Sequence, residues 1–143
     1  MKAIDPSLKL LMNLAKVQAL LARRFDRLSV HGIGFSDFMI LYLLSQAQDE
    51  KMRRVDLADG IGLTSSGVTR MLVPMEKIGL IRREINERDA RVSYVVLTDA
   101  GKTIFTDALK TAGYLAQEIL PAAKAQKINA LSEILGELGG NIA

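Results

Sequence analysis

Over the first thirty residues the apolar positions return every three or four steps, at Leu10, Leu14, Val17, Leu21, Phe25 and Leu28. This is the period of an amphipathic helix and predicts one long helix from Ser7 to about Ser29. Two glycines between Val30 and Phe35 mark a connection. Ser36 as N-cap, with Asp37 at the positive end of the dipole, then predicts a helix through Leu44 or Gln46. A polar turn follows from Gln46 to Lys51. The next two helices are bounded by glycine: a short one from about Arg54 to Ile61, stopped by Gly62, and one opening at Thr64 and running to about Ile78, stopped by Gly79. Beyond Gly79 the period changes. Leu80 to Ile85 and Ser93 to Leu97 are rich in β-branched and arginine residues and predict an antiparallel hairpin whose long charged loop is Asn86 to Val92. Thr98 caps a further helix with Ile104, Phe105, Ala108, Leu109, Ala112, Leu115 and Ile119 on its apolar stripe. Pro121 opens a last one carrying Ile128, Leu131, Leu135 and Leu138.

The expected fold is mainly α with a small antiparallel β-hairpin, an α+β arrangement in one domain over residues 1–143. A chain of 143 residues buries a sizeable core without covalent staples. With no cysteine there is no disulfide, no thiolate zinc site and no thiol redox switch, and one histidine leaves any metal site to carboxylates. No window reaches the length of a membrane span and no signal-peptide pattern stands at Met1 to Leu14, so a cytoplasmic protein without a membrane partner is expected. Net charge is only +3, yet Lys51 to Arg91 holds nine Lys or Arg against six Asp or Glu, and ten face ten elsewhere. The whole excess sits in one stretch, which also holds seven of the ten arginines. A solvated face is the ordinary reading of such a run, and a grip on phosphate is the other.

What separates those readings is the helix pair inside the basic stretch. Ala58 supplies a small contact residue, Gly62 a residue tolerant of positive φ in the turn, and Leu57, Ile61, Leu63, Val68, Met71 and Leu72 the apolar set of a helix-turn-helix. The second helix begins Thr64-Ser65-Ser66-Gly67, which offers hydroxyls, bare amides and a positive dipole end to phosphate or base edges. Ser65, Ser66, Thr69 and Arg70 share one side while Val68, Met71, Leu72 and Met75 share the other, so the polar side suits a major groove. Thr64 is expected to act as N-cap, and for Ser65, Ser66 and Thr69 a solvated surface is the competing reading. The hairpin loop puts Arg88 and Arg91 at a tip with Asp89 between them to orient a guanidinium, and arginine at a ribbon tip fits a narrow minor groove.

Val55-Asp56-Leu57-Ala58, Ile61-Gly62-Leu63-Thr64, Val68-Thr69-Arg70, Met75 to Arg83, Arg88-Asp89-Ala90-Arg91 and Leu97-Thr98-Asp99-Ala100-Gly101 together resemble the MarR family of bacterial regulators. The resemblance covers about Phe35 to Gly101. It implies a winged helix-turn-helix dimer, with Ser66, Thr69 and Arg70 on the recognition helix and Arg91 of the wing reaching the minor groove. It also implies control by a small, often aromatic or phenolic, anion. Three departures stand out. Arg53 occupies a position where the family usually has a Ser or Thr cap, so the cap is expected to be either weaker or replaced by Asp56 at the third position, with Arg53 and Arg54 free for phosphates. Pro74 removes a donor inside the recognition helix and is expected to bend it beyond Val73. Gly60 weakens the preceding helix by about 1 kcal/mol relative to alanine.

On this reading residues 35–101 form the DNA-binding lobe, and 1–34 with 102–143 supply long dimerisation helices whose apolar stripes pair with a second copy. The competing arrangement packs those stripes on each other within one chain. His31, Phe35, Phe38 and Tyr42 are either walls of an effector pocket or core residues. The expected partners are double-stranded DNA, a second copy and a small effector. Catalysis and cofactors are not expected, because no glycine-rich phosphate loop and no cluster at ligand spacing is present. The alternative is a winged-helix module that docks a protein instead of DNA.

Overall fold

The computed structural model describes residues 2–142. The N-terminal helix α1 spans Pro6–Arg24, with Asp5 accepting the Ser7 amide at 2.7 Å as its cap. It ends five residues before the period predicts. From Asp26 to His31 the chain tightens into a 3-10 helix, closed by Gly32 at φ +76°. In a 3-10 helix residues three apart eclipse one another, and the tightening lets both Phe25 and Leu28 enter the core.

Helix α2 spans Phe35–Gln46. Its N-cap is Gly34 and not Ser36: the Asp37 carboxylate reaches back to accept the Gly34 amide at 2.9 Å, which fixes the first turn two residues earlier than expected. The stretch read as a polar turn contains more structure than its composition suggests. Asp49 and Glu50 both lie at positive φ (57° and 53°) and swing the chain into a three-residue strand β1, Lys51–Arg53.

Helices α3 (Arg54–Ile61) and α4 (Ser65–Lys77) follow, then strands β2 (Ile81–Ile85) and β3 (Ser93–Leu97). The sheet has three strands in the order β1-β3-β2, all antiparallel, with Met52 opposite Val95 and Arg83 opposite the same Val95 from the other side. The expected hairpin is therefore the outer two-thirds of a larger sheet. Helix α5 runs Asp99–Ile119 from its Thr98 cap, and α6 runs Ala125–Glu137. Pro121 does not open α6; it precedes a 3-10 turn at Ala122–Lys124, and the helix begins four residues later than predicted.

The core gathers on α2, whose Ile40, Leu41 and Leu44 are fully enclosed together with Leu28, Leu57 and Val68. Phe25 stacks on Phe35 at 4.0 Å between ring centroids, and Phe38 on Phe105 at 5.3 Å, joining the start of the lobe to α5. The junction of α5 with the sheet is close. Thr98 Oγ1 donates to Gly79 O at 2.6 Å, the Thr98 amide to Leu80 O at 3.2 Å, and Gly101 lies against that same Leu80 carbonyl. By contrast, neither α1 nor α6 buries a single residue.

Candidate nucleic-acid interface

Helices α3 and α4 meet through Ala58, which is 3% exposed, across a turn made by Gly62 at φ +72° and Leu63, whose amide donates to Ala58 O at 3.0 Å. A side chain at Ala58 larger than a methyl would push the helices apart, and a β-branched residue at position 62 would resist the left-handed turn. Thr64 is the N-cap of α4, its hydroxyl accepting the Gly67 amide at 3.1 Å and lying 3.2 Å from Ser66 Oγ. Its hydroxyl therefore serves the helix first. Val68, Leu72 and Met75 are buried, which fixes the rotation of α4 and leaves Ser65, Ser66 and Arg70 exposed and Thr69 half-buried. Thr69 Oγ1 donates to Ser65 O at 2.9 Å, so the hydroxyl keeps its acceptor lone pairs free.

Pro74 is accommodated inside α4. The helix continues to Lys77, and the Ile78 amide still finds Pro74 O at 3.2 Å. The turn carrying Ser65 to Arg70 precedes the missing donor.

The two arginines at the start of α3 have different surroundings. Arg53 is the N-cap and makes no side-chain capping bond; its Nε lies 3.0 Å from Asp56 Oδ2, and that carboxylate raises the guanidinium pKa further, mainly by hydrogen bonding. Asp56 is thus engaged by Arg53 and does not replace the cap, which leaves the weaker cap of the two expectations. Arg54 is half-buried and lines one small cleft with Leu72, Ile81 and Val95, its Nε enclosed and without a hydrogen-bond partner.

The wing loop is built around two carboxamide and carboxylate side chains. Asn86 Oδ1 accepts the amides of Arg88 at 2.8 Å and Asp89 at 3.3 Å, and the Asn86 amide closes the loop on Val92 O at 2.9 Å. Asp89 then takes the Arg91 guanidinium by its fork, Nε to Oδ1 at 3.1 Å and Nη2 to Oδ2 at 3.2 Å, and also accepts the Arg91 amide. These bonds hold the Asp89 carboxyl below its usual pKa, the Arg91 side chain contributing most. The Arg91 side chain is 91% exposed, so Asp89 orients it while most of its surface stays open to solvent. Below the loop, Glu84 pairs with both Lys51 (3.0 Å) and Arg82 (3.3 Å), with its own pKa lowered chiefly by the hydrogen bond from Lys51.

Sequence reasoning singled out Arg88, Asp89 and Arg91 but passed over Asn86. The signal was there, since Asn two residues before the tip is the residue type that folds an Asx-turn. Glu84 was also missed, because its partner Lys51 lies on a strand too short to show a period.

Of the proposed effector residues Phe35 lines a cavity. His31 Nε2 is 2.8 Å from Thr111 Oγ1, Phe38 is buried, and Tyr42 packs near Phe105. The cavity, about 730 Å³, opens between α1, α2 and the α3–α4 turn. Among the described residues no group of three His, Cys, Asp or Glu is placed to hold a metal ion, and no helix is long and apolar enough to cross a membrane.

Helix pair, three-stranded sheet and protruding loop are together a winged helix-turn-helix. Residues 36–93 match the model of the MarR family. Over 134 residues the chain is 27% identical to the HTH-type transcriptional regulator YdgJ of Bacillus subtilis, covering 94% of this chain and 79% of that protein. Among solved structures it is similar to the transcriptional regulator BldR from Sulfolobus solfataricus, with a TM-score of 0.80 and 27% identity, over 96% of this chain and 99% of that one. It also shares its fold with Sco3205, a MarR family transcriptional regulator from Streptomyces coelicolor solved in complex with DNA: TM-score 0.71, 20% identity, 96% of this chain and 90% of that one. Over its winged helix-turn-helix the chain is thus similar to the MarR family of transcription regulators.

Proposed function

We propose that this chain is a homodimeric repressor that binds a pseudo-palindromic duplex, with α4 in the major groove and the wing in the minor groove. The observation that carries the reading is the fixed rotation of α4: three buried apolar residues lock one face down, so Ser65, Ser66, Thr69 and Arg70 form the face turned away from the core. Arg70 is long enough to reach a base edge and fork onto guanine, and the hydroxyls suit phosphate or base contacts. At the wing, Arg91 is the minor-groove probe, held by Asp89, with Arg88 beside it. Arg53 and Arg54 flank the site as phosphate contacts, of which Arg53 is the better placed because Arg54 directs its Nε into the protein.

Residues 35–101 are the DNA-binding lobe on this reading, and 1–34 with 102–143 the dimerisation helices. The unburied faces of α1 and α6 support this: Leu10, Leu11 and Leu14 on α1 and Leu131, Ile134 and Leu138 at α6 are all exposed in the single chain, and a second copy would cover them. Two-fold symmetry then sets half-sites about 34–36 Å apart. Repression follows if the operator overlaps a promoter, and release follows from a small ligand in the cavity beside the helix-turn-helix. The DNA complex of the related fold from Streptomyces favours duplex over a protein target.

Selection of fragments bound from genomic DNA, followed by footprinting, tests the reading. The expected result is a protected inverted repeat beside a promoter; recovery of no fragment above background contradicts it.

A further inference from the structure

We propose that Glu50 and Lys102 are positioning residues for the wing: their ion pair holds a strained turn shut, so that β1 stays paired with β3 and the hairpin carrying the wing loop keeps its aim. The consequence for duplex binding rests on the regulator reading, and the strained turn does not. Asp49 and Glu50 stand side by side at φ 57° and 53°. Glycine enters that left-handed region freely, whereas a residue with a Cβ enters it at a cost and ordinarily alone. Two such residues in succession persist only where the surrounding structure over-determines them.

The surroundings do so from two directions. The Glu50 amide donates to Ala47 O at 3.0 Å, closing the 3-10 turn Gln48–Glu50, and Glu50 Oε1 lies 2.7 Å from Lys102 Nζ on the first turn of α5. Asp99 stands 3.8 Å from the same ammonium. Lys102 is a firm anchor, because α5 begins at Thr98, whose hydroxyl donates to Gly79 O and whose amide donates to Leu80 O. The next residue ties the chain the other way. Lys51 Nζ reaches Glu84 Oε1 at 3.0 Å and stands 5.0 Å from the centre of the Tyr94 ring. Lys51 lies on β1, Tyr94 on β3 and Glu84 on β2, so one side chain spans the sheet. Glu50 therefore joins the turn to α5, and Lys51 joins it to the hairpin. An ion pair as exposed as Glu50–Lys102 contributes little where nothing else depends on it. Here it opposes the escape of two residues from the left-handed region, and β1, at the short end of strand lengths with three residues, has little pairing of its own to resist that escape.

The test uses the full chain in its native assembly. Hydrogen exchange at the Lys51, Met52 and Arg53 amides, without DNA, reads whether β1 stays paired. Glu50→Ala keeps a Cβ at the left-handed position and loses the ion pair, and is expected to speed that exchange at least about threefold. Glu50→Gly loses the pair as well but removes the strain at position 50, and is expected to exchange within about twofold of the parent. Lys102→Gln is expected to behave like Glu50→Ala. On a selected operator, Glu50→Ala is expected to weaken binding at least about threefold and Glu50→Gly to restore it. Beside Arg91→Ala, Glu50→Ala is expected to add no further loss, because the turn acts through the wing. Exchange at β1 that ignores Glu50→Ala overturns the proposal, as does Glu50→Gly exchanging as fast as Glu50→Ala, or a fully additive loss of affinity beside Arg91→Ala. A parent chain that binds no duplex removes the regulator reading alone, and exchange at β1 then decides the role of the turn by itself.

Discussion

Gly101→Ala probes the joint between the sheet and α5. A Cβ at that position meets the backbone carbonyl oxygen of Leu80 and lies 2.8 Å from Leu97 Cδ1. The leucine methyl can rotate away. The carbonyl cannot retreat freely, because it accepts the Thr98 amide at 3.2 Å, while Thr98 Oγ1 holds the neighbouring Gly79 carbonyl at 2.6 Å. Overpacking against well-ordered atoms costs ~1–3 kcal/mol, and loss of a buried backbone hydrogen bond adds ~0.5–1.5 kcal/mol. The helix propensity of alanine over glycine returns at most about 1 kcal/mol. The net expectation is a loss of about 2 kcal/mol, which for a chain of this size is ~4–8 °C in melting temperature. Thermal melts followed by circular dichroism, at one fixed protein concentration, read it directly. A variant melting within about 1 °C of the parent refutes the claim that α5 is seated on the Leu80 carbonyl.

Thr64→Ala removes the α4 cap and is expected to cost about 1 kcal/mol in urea unfolding, with Thr64→Ser close to the parent. Leu10→Glu combined with Leu131→Glu is expected to convert the proposed dimer to a monomer in light scattering, because both positions are exposed in the single chain; an unchanged mass contradicts the proposed interface. The Asp89 pKa is lowered in the folded chain, so the Arg91 clamp is complete above the ordinary carboxylate range and is lost only as pH falls through that lowered value. Asp89→Asn is therefore expected to weaken duplex binding at neutral pH and to remove any acid-side change in affinity that the parent shows.

Glycine and threonine punctuation made the lobe legible. Gly62, Gly79, Thr64 and Thr98 each stand where their chemistry is needed, and α3, α4, β2, β3 and the start of α5 fall within a residue or so of the expected bounds. The misreadings share a cause, in that tertiary contacts overrode local signals. Periodicity ran through Phe25 and Leu28, yet burying both required a tighter helix than the 3.6-residue one. Ser36 is a good cap by type, but Asp37 reached the Gly34 amide first. Strand β1 has three residues and owes its existence to pairing with β3, so no pattern within Lys51–Arg53 announces it. Residue types on the recognition helix and wing were readable because their exposure follows from the apolar positions around them. The inward turn of Arg54 and the engagement of Asp56 by Arg53 depend on neighbours distant in sequence or on rotamers, which composition does not specify.

If α4 and the wing grip duplex together, salt-dependent fluorescence anisotropy on a selected operator reads both contacts at once. From about 50 to 200 mM salt the logarithm of affinity is expected to fall linearly with the logarithm of salt. Arg70→Ala and Arg91→Ala should each weaken binding, with the molecular mass and melting temperature unchanged. If either arginine contacts phosphate alone, its loss also lowers the slope by about 0.9. Affinity that survives both substitutions, or that ignores salt, means that α4 and the wing do not hold the duplex.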